Sequence, residues 1–138
     1  MNVRGSASDG AMQLDLRSEL PFATVIVTHR GASLSIRDVL VDTGSAGSVL
    51  SANIMAQLSV HPEPADRLRT LRGIGGRELV FTRRLDRIEV AGRALVDMEV
   101  EIGAMDYGFS INGILGMDFL RSAGAVLNLQ DLTISFLE

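Results

Sequence analysis

The feature that most constrains this chain is the repeated return of short β-patterned segments separated by glycine-bearing turns. Leu20 to Thr28 is rich in strand formers (Phe22, Thr24, Val25, Ile26, Val27), and His29-Arg30-Gly31 follows as a turn in which glycine supplies a positive φ. Leu34, Ile36 and the run Val39-Leu40-Val41 continue as a second strand, buried at its end where alternation gives way to continuous apolar residues. Leu71 to Phe81 reads as a hairpin with Gly73-Ile74-Gly75-Gly76 at its tip, and Leu85 to Val90 pairs with Ala94 to Ile102 around Ala91-Gly92-Arg93. Within that last strand Ala94, Val96, Met98, Val100 and Ile102 are expected on one face, with Leu95, Asp97, Glu99 and Glu101 on the other. Residues 103–110 read as a loop, Ile111 to Gly116 as a strand, and Val126 to Leu129 with Leu132 to Phe136 as two closing strands. Helices are few. Ser51 caps a short one reaching Leu58, Pro62 and Pro64 impose an extended connection, and Met117 to Ala123 is a second helix stopped by Gly124. This pattern specifies an all-β barrel or sandwich.

Composition bounds what such a fold can do. With 138 residues and 46% hydrophobic content, the chain suits one domain with a core that needs no covalent staples. There is no cysteine, which excludes thiolate metal sites, and only His29 and His61 are available as imidazole ligands, so no metal and no cofactor are expected. All 13 basic residues are arginine, which rules out a catalytic lysine. A formal charge of −4 argues against a nucleic-acid partner. No stretch approaches the ~20 apolar residues of a membrane helix, and Met1 to Met12 lacks the apolar centre of a signal peptide. Residues 1–12 are expected to be a flexible leader, and the chain is expected to make no membrane contact. The expected location is the cytoplasm, or a soluble domain of a larger protein. Arg83-Arg84, Glu99 and Glu101 read as solvated strand faces, and Asp118 as a favourable charge in the first turn of its helix.

The strongest local signal is Val39-Leu40-Val41-Asp42-Thr43-Gly44-Ser45, where a strand delivers a carboxylate into a tight turn. Alone, Asp-Thr-Gly turns up by chance in roughly 3% of chains this long and is compatible with a plain Asx turn. Two further features raise its weight: the Gly73-Ile74-Gly75-Gly76 tip, and Ile114-Leu115-Gly116 before a short helix. In this order the three motifs resemble the retropepsin-like aspartic proteases, the family of retroviral proteases and their cellular and bacterial relatives. The resemblance runs from about Leu20 to Phe136 and makes 13–138 a single protease domain.

That resemblance implies a closed acid-protease barrel with one or two short helices, forming a two-fold homodimer. It implies an aspartic endopeptidase in which Asp42 is catalytic. Peptide hydrolysis by activated water needs a base for the water and an acid for the carbonyl oxygen, and two carboxylates sharing one proton supply both. Only one Asp-Thr-Gly is present, so the second carboxylate must be Asp42 of another copy. Thr43 matches the residue that bonds across the two-fold axis, and Gly44 permits close approach of substrate. Ser45 offers its hydroxyl either to Asp42 or to a local turn. Gly73, Ile74, Gly75 and Gly76 match the flap, with Ile74 covering the site. Leu40, Ala46, Val49, Ile111 and Ile114 are candidate pocket residues. Leu115 and Gly116 match the structural motif beneath the active-site loop, where Gly116 admits the neighbouring chain.

The substrate implied is an extended polypeptide bound in β fashion, with hydrophobic residues flanking the cut. Viral members carry an aspartate and an arginine where this chain has Ala46 and Met117, so that charge pair is missing. Met117-Asp118-Phe119-Leu120 and the helix from Ser51 to Leu58 are closer to the cellular and bacterial branch. The apolar stretch Val126 to Phe136 is the candidate dimer interface. The alternative reading is a non-catalytic dimerisation or peptide-binding module of the same fold, against which the intact Asp-Thr-Gly stands. A glycosidase-like pairing of Asp42 with Asp118 finds no support in a chain with 4% aromatics and no tryptophan.

Overall fold

The computed structural model describes residues 10–73, 76–105 and 110–137, side chains at 69–73 and 76–79 excepted. It is an all-β structure with strands β1 (Met12–Gln13), β2 (Asp15–Arg17), β3 (Leu20–His29), β4 (Ala32–Val41), β5 (Val49–Ser51), β6 (Leu68–Gly73), β7 (Gly76–Val90), β8 (Arg93–Gly103), β9 (Gly113–Leu115), β10 (Ala125–Asn128) and β11 (Thr133–Phe136). Helix α1 (Ala52–Met55) runs into a 3-10 turn (Ala56–Leu58), and α2 is Met117–Ala123. No helix among the described residues is long and apolar enough to cross a membrane.

One sheet runs β2-β3-β4-β9-β5-β8-β7-β6, and a further β3–β7 pairing closes β3, β4, β9, β5, β8 and β7 into a barrel. Of the two architectures the sequence permits, the barrel is the one formed. A separate sheet, β1-β11-β10, packs at one end. Three two-residue turns set the hairpin registers: Ser18-Glu19 (φ 50° and 64°), Arg30-Gly31 (51° and 83°) and Ala91-Gly92 (50° and 83°). Positive φ at both positions matches the right-handed twist of the flanking strands.

Two places break strict alternation. In β4 the buried residues change from even to odd numbers, Ile36 to Val39 and Val41, because Asp38 (φ 60°) bulges opposite the register shift between Ala23 and Val25. The second break corrects the expectation for 94–102. Leu95 packs against the core while Val96 is 71% exposed, and Asp97 has φ 54°. β7 changes phase at the same level, from buried Leu85 to buried Ile88, so the β7–β8 register continues across the slip. Val100 and Ile102 then point inward as expected.

β7 is longer than the sequence pattern suggests, because Thr82-Arg83-Arg84 continue it without a break. Arg83 is not a solvated residue. Its side chain is only 10% exposed, it pairs with Asp66 at 2.6 Å, and it donates to the His61 carbonyl. Pro64 sits inside the turn Glu63 to Asp66, closed by the Asp66 amide on the Glu63 carbonyl, so this connection bends where extension was expected. β7 pairs with β8 only from Phe81 onward, whereas Gly76 to Phe81 pair with β6. The β6–β7 hairpin therefore projects beyond the barrel, with Gly73 opposite Gly76 at its described end. Ile74 and Gly75, expected at the tip, lie outside the described residues.

The main core fills the barrel, with Val25, Val27, Val39, Leu85 and Ile102 at its centre. Helix α2 closes one end through Phe119, Leu120 and Ala123, whose spacing places them on one helical face. Gly124 (φ 74°) ends the helix, its amide donating to the carbonyl of Arg121. Phe119 meets Phe136 of β11 edge-to-face at 6.3 Å, which joins the helix to the terminal sheet.

Candidate active site

Asp42 follows β4 directly. Parallel pairing of β4 with β9 puts Val41 beside Leu115, and the ladder is extended by the Asp42 amide donating to the Leu115 carbonyl at 3.0 Å. The Ser45 amide returns to the Asp42 carbonyl at 3.2 Å and closes a tight turn. Within it, the Gly44 amide donates to Asp42 Oδ1 at 2.9 Å, and a β-carbon on Gly44 would lie 3.2 Å from that oxygen. The Asp42 carboxylate is thus aimed by its own loop while remaining partly accessible. Of the two partners open to Ser45, the structure selects the local one: its hydroxyl donates to the Gly47 carbonyl at 2.8 Å.

The far arm of the loop, Ser45 to Ser48, lies against the corner between β9 and α2. Met117 and Asp118 donate their amides to the carbonyls of Ser45 (2.8 Å) and Ala46 (3.1 Å). A β-carbon on Gly116 would stand 2.5 Å from the Gly47 carbonyl oxygen and 2.8 Å from that of Ser45, so only glycine fits. The neighbour that Gly116 admits is the loop of its own chain.

Asp118 is the residue that sequence reasoning undervalued. Its Oδ2 accepts from the Ser48 amide at 3.0 Å and its Oδ1 from the Ser48 hydroxyl at 2.7 Å. Ser48, 3% exposed, in turn accepts from the Gly116 amide at 2.9 Å. The signal available in the sequence was an acidic residue two positions after the glycine of Ile-Leu-Gly. Its partner, 70 residues away, was not marked by any pattern.

Four candidate pocket residues come together. Leu40, Ile114 and Val49 are cross-strand neighbours on β4, β9 and β5, and with Phe22, Met105 and Ile111 they form a second, smaller apolar cluster. Val49 and Ile111 are buried there, and Leu40 and Ile114 are partly buried. Ala46 is exposed and contributes its carbonyl to the helix corner.

The outward side of the loop is different. Asp42 and Thr43 line a cavity of about 550 Å³ with Leu16, Pro21, Val41, Leu127, Leu129 and Leu132, and with the carboxylate-bearing Glu19 of the β2–β3 turn. Thr43, exposed, also borders a second cavity of about 370 Å³ with Met117, Leu120 and Leu137. Leu129, on the first cavity, is 68% exposed, and Leu137, on the second, is 66% exposed.

A family model described as aspartyl protease matches residues 25–119, which span the barrel from β3 through the Asp42 loop to the start of α2. The chain belongs to the aspartyl protease family. Its fold is that of the retropepsin-like members: it is similar to the crystal structure of a retropepsin-like aspartic protease from Rickettsia conorii, with TM-score 0.65 and 17% identity over 90% of this chain and 97% of that one. No curated protein sequence matches the chain.

Proposed function

We propose that the chain is an aspartic endopeptidase that works as a homodimer, with Asp42 of each subunit holding one water between two carboxylates. The observation that carries this reading is the single Asp42 loop, bonded from behind and ending in a partly exposed carboxylate on a face made mostly of leucines. One carboxylate is half of an acid–base pair. A second copy placed about a two-fold axis beside Thr43 supplies the other half and covers the leucines around it. The two carboxylates share one proton, so one takes a proton from water while the other protonates the carbonyl oxygen.

The projecting β6–β7 hairpin serves as the flap, and Gly73, Ile74, Gly75 and Gly76 close over an extended polypeptide. Leu40, Val49, Ile111 and Ile114 give the cleft an apolar wall, which favours hydrophobic side chains next to the cut. Thr43 bonds across the axis. No cofactor takes part.

The test is incubation of concentrated protein with an unstructured polypeptide across the pH range, with and without a hydroxyl-bearing transition-state mimic. The expected result is cleavage with a bell-shaped pH profile, blocked by the mimic and absent in Asp42→Asn, which still folds. Binding of polypeptide without cleavage at any pH would instead make the protein a peptide-binding module.

A further inference from the structure

We infer that Asp118 and Ser48 are the positioning pair for Asp42, and that through them each subunit holds its catalytic loop in working shape before it meets a second copy. This rests on the protease reading, since positioning presupposes a reaction. Its structural half can be tested without one.

The loop leaves β4 at Asp42 and must come back to enter β5 at Val49. Backbone pairing fixes the start of this excursion, through the Asp42 amide on Leu115, and its middle, through Ser45 and Ala46 on the first residues of α2. The return arm has one backbone bond, from the Glu101 amide to the Ser48 carbonyl at 3.1 Å where β5 begins, and is otherwise held by side chains. Ser48 is buried, and its amide and its hydroxyl proton would both lack an acceptor there without the two oxygens of Asp118. The same hydroxyl oxygen receives the Gly116 amide, so one serine ties the return arm to the corner that also carries Leu115. Asp118 Oδ1 takes the Phe119 amide as well, at 2.7 Å, which locks the carboxylate's orientation.

Every partner in this network belongs to one chain. Ala46 and Met117, beside the pair on either side, carry no charge, so no ion pair at those positions shares the task. Neither Asp118 nor Ser48 borders the cavity that holds Asp42. They act on Asp42 only through the loop. The pair should therefore govern the rate of the chemical step and leave both substrate affinity and dimer affinity unchanged.

The experiment uses the full chain with Ser48→Ala, Asp118→Asn and the hydroxyl-retaining Ser48→Thr. Kinetics on the best-cleaved peptide of a hydrophobic library should show kcat down about 10- to 100-fold in the first two, with KM and the dimer dissociation constant within about threefold. Ser48→Thr should recover most of the loss. Unchanged kcat, or a loss that appears only as weaker dimerisation or raised KM, would overturn the assignment. Amide hydrogen exchange supplies the second measurement. The Ser48 and Gly116 amides should be equally protected in wild-type monomer, isolated by dilution, and in dimer, and should exchange at least about tenfold faster in Ser48→Ala. Protection that is present only in the dimer would refute self-support by each subunit. If no peptide is cleaved by wild type, the protease reading fails while the exchange data still decide whether the pair holds the loop.

Discussion

The two sides of the Asp42 loop are built on opposite principles. Behind it, the β9–α2 corner answers polar groups one by one: Leu115, Met117 and Asp118 each take part in a hydrogen bond, and the glycine between them leaves no room for a β-carbon. In front, Asp42 and Thr43 look onto leucines that no described residue of the chain covers, Leu129 and Leu137 above all. The directional bonds at the back fix where the carboxylate sits. The apolar front fixes nothing by itself and gains stability only when another surface excludes water from it. On the proposed function, such a loop is complete as structure and still half a site as chemistry.

Four substitutions break or sharpen that contrast. The largest effect belongs to the front: Asp42→Asn should lower peptide hydrolysis by about 10⁴-fold or more while leaving the denaturation midpoint close to wild type. The back is next. Gly116→Ala forces a methyl into the carbonyls of Ser45 and Gly47, and should destabilise the fold by about 3 kcal/mol in urea denaturation, with the loop displaced.

Leu129→Arg then separates surface from core. Because the side chain is 68% exposed, the stability of the monomer should move by no more than about 0.5 kcal/mol, while sedimentation should show the dimer weakened about 100-fold. The smallest effect lies at the base of the hairpin, away from both sides. The hydrogen bond from Arg83, helped by the Glu63 amide, holds the Asp66 carboxyl below its ordinary pKa, against the opposing effect of burial. A carboxyl whose folded-state pKa is lowered contributes stability that is full above the ordinary range near about pH 4 and is lost as pH falls through the lowered value. The stability difference between wild type and Asp66→Asn should accordingly be constant above about pH 5 and shrink steadily below about pH 4.

Much of this molecule is legible in its sequence, for identifiable reasons. Arg30-Gly31 and Ala91-Gly92 mark hairpins because a glycine tolerates the positive φ that such turns demand. Asp42 stands out because a strand ending in Asp-Thr-Gly-Ser is followed, in order, by Gly-Ile-Gly-Gly and Ile-Leu-Gly. The phase slips at Asp38 and Asp97 escape because an aspartate in the left-handed region leaves no trace in a pattern of polar and apolar residues, apart from the odd spacing from Ile36 to Val39. Arg83 reads as solvent-facing because its partner Asp66 lies in a proline-rich connection with no periodicity. Asp118 escapes for a similar reason. Acidic residues are common in the first turn of helices, so its charge alone does not announce that it reaches back to Ser48.

The central claim is that one chain carries half of an active site, and mixing subunits tests it most directly. Wild-type protein is equilibrated with increasing amounts of Asp42→Asn, and peptide hydrolysis is measured per wild-type chain. If each site needs two Asp42 carboxylates, an equal amount of the variant should lower that activity to about half, and a ninefold excess to about a tenth, as wild-type chains are drawn into inactive heterodimers. Activity per wild-type chain that stays constant at every ratio would show that a single Asp42 suffices, and would contradict the account.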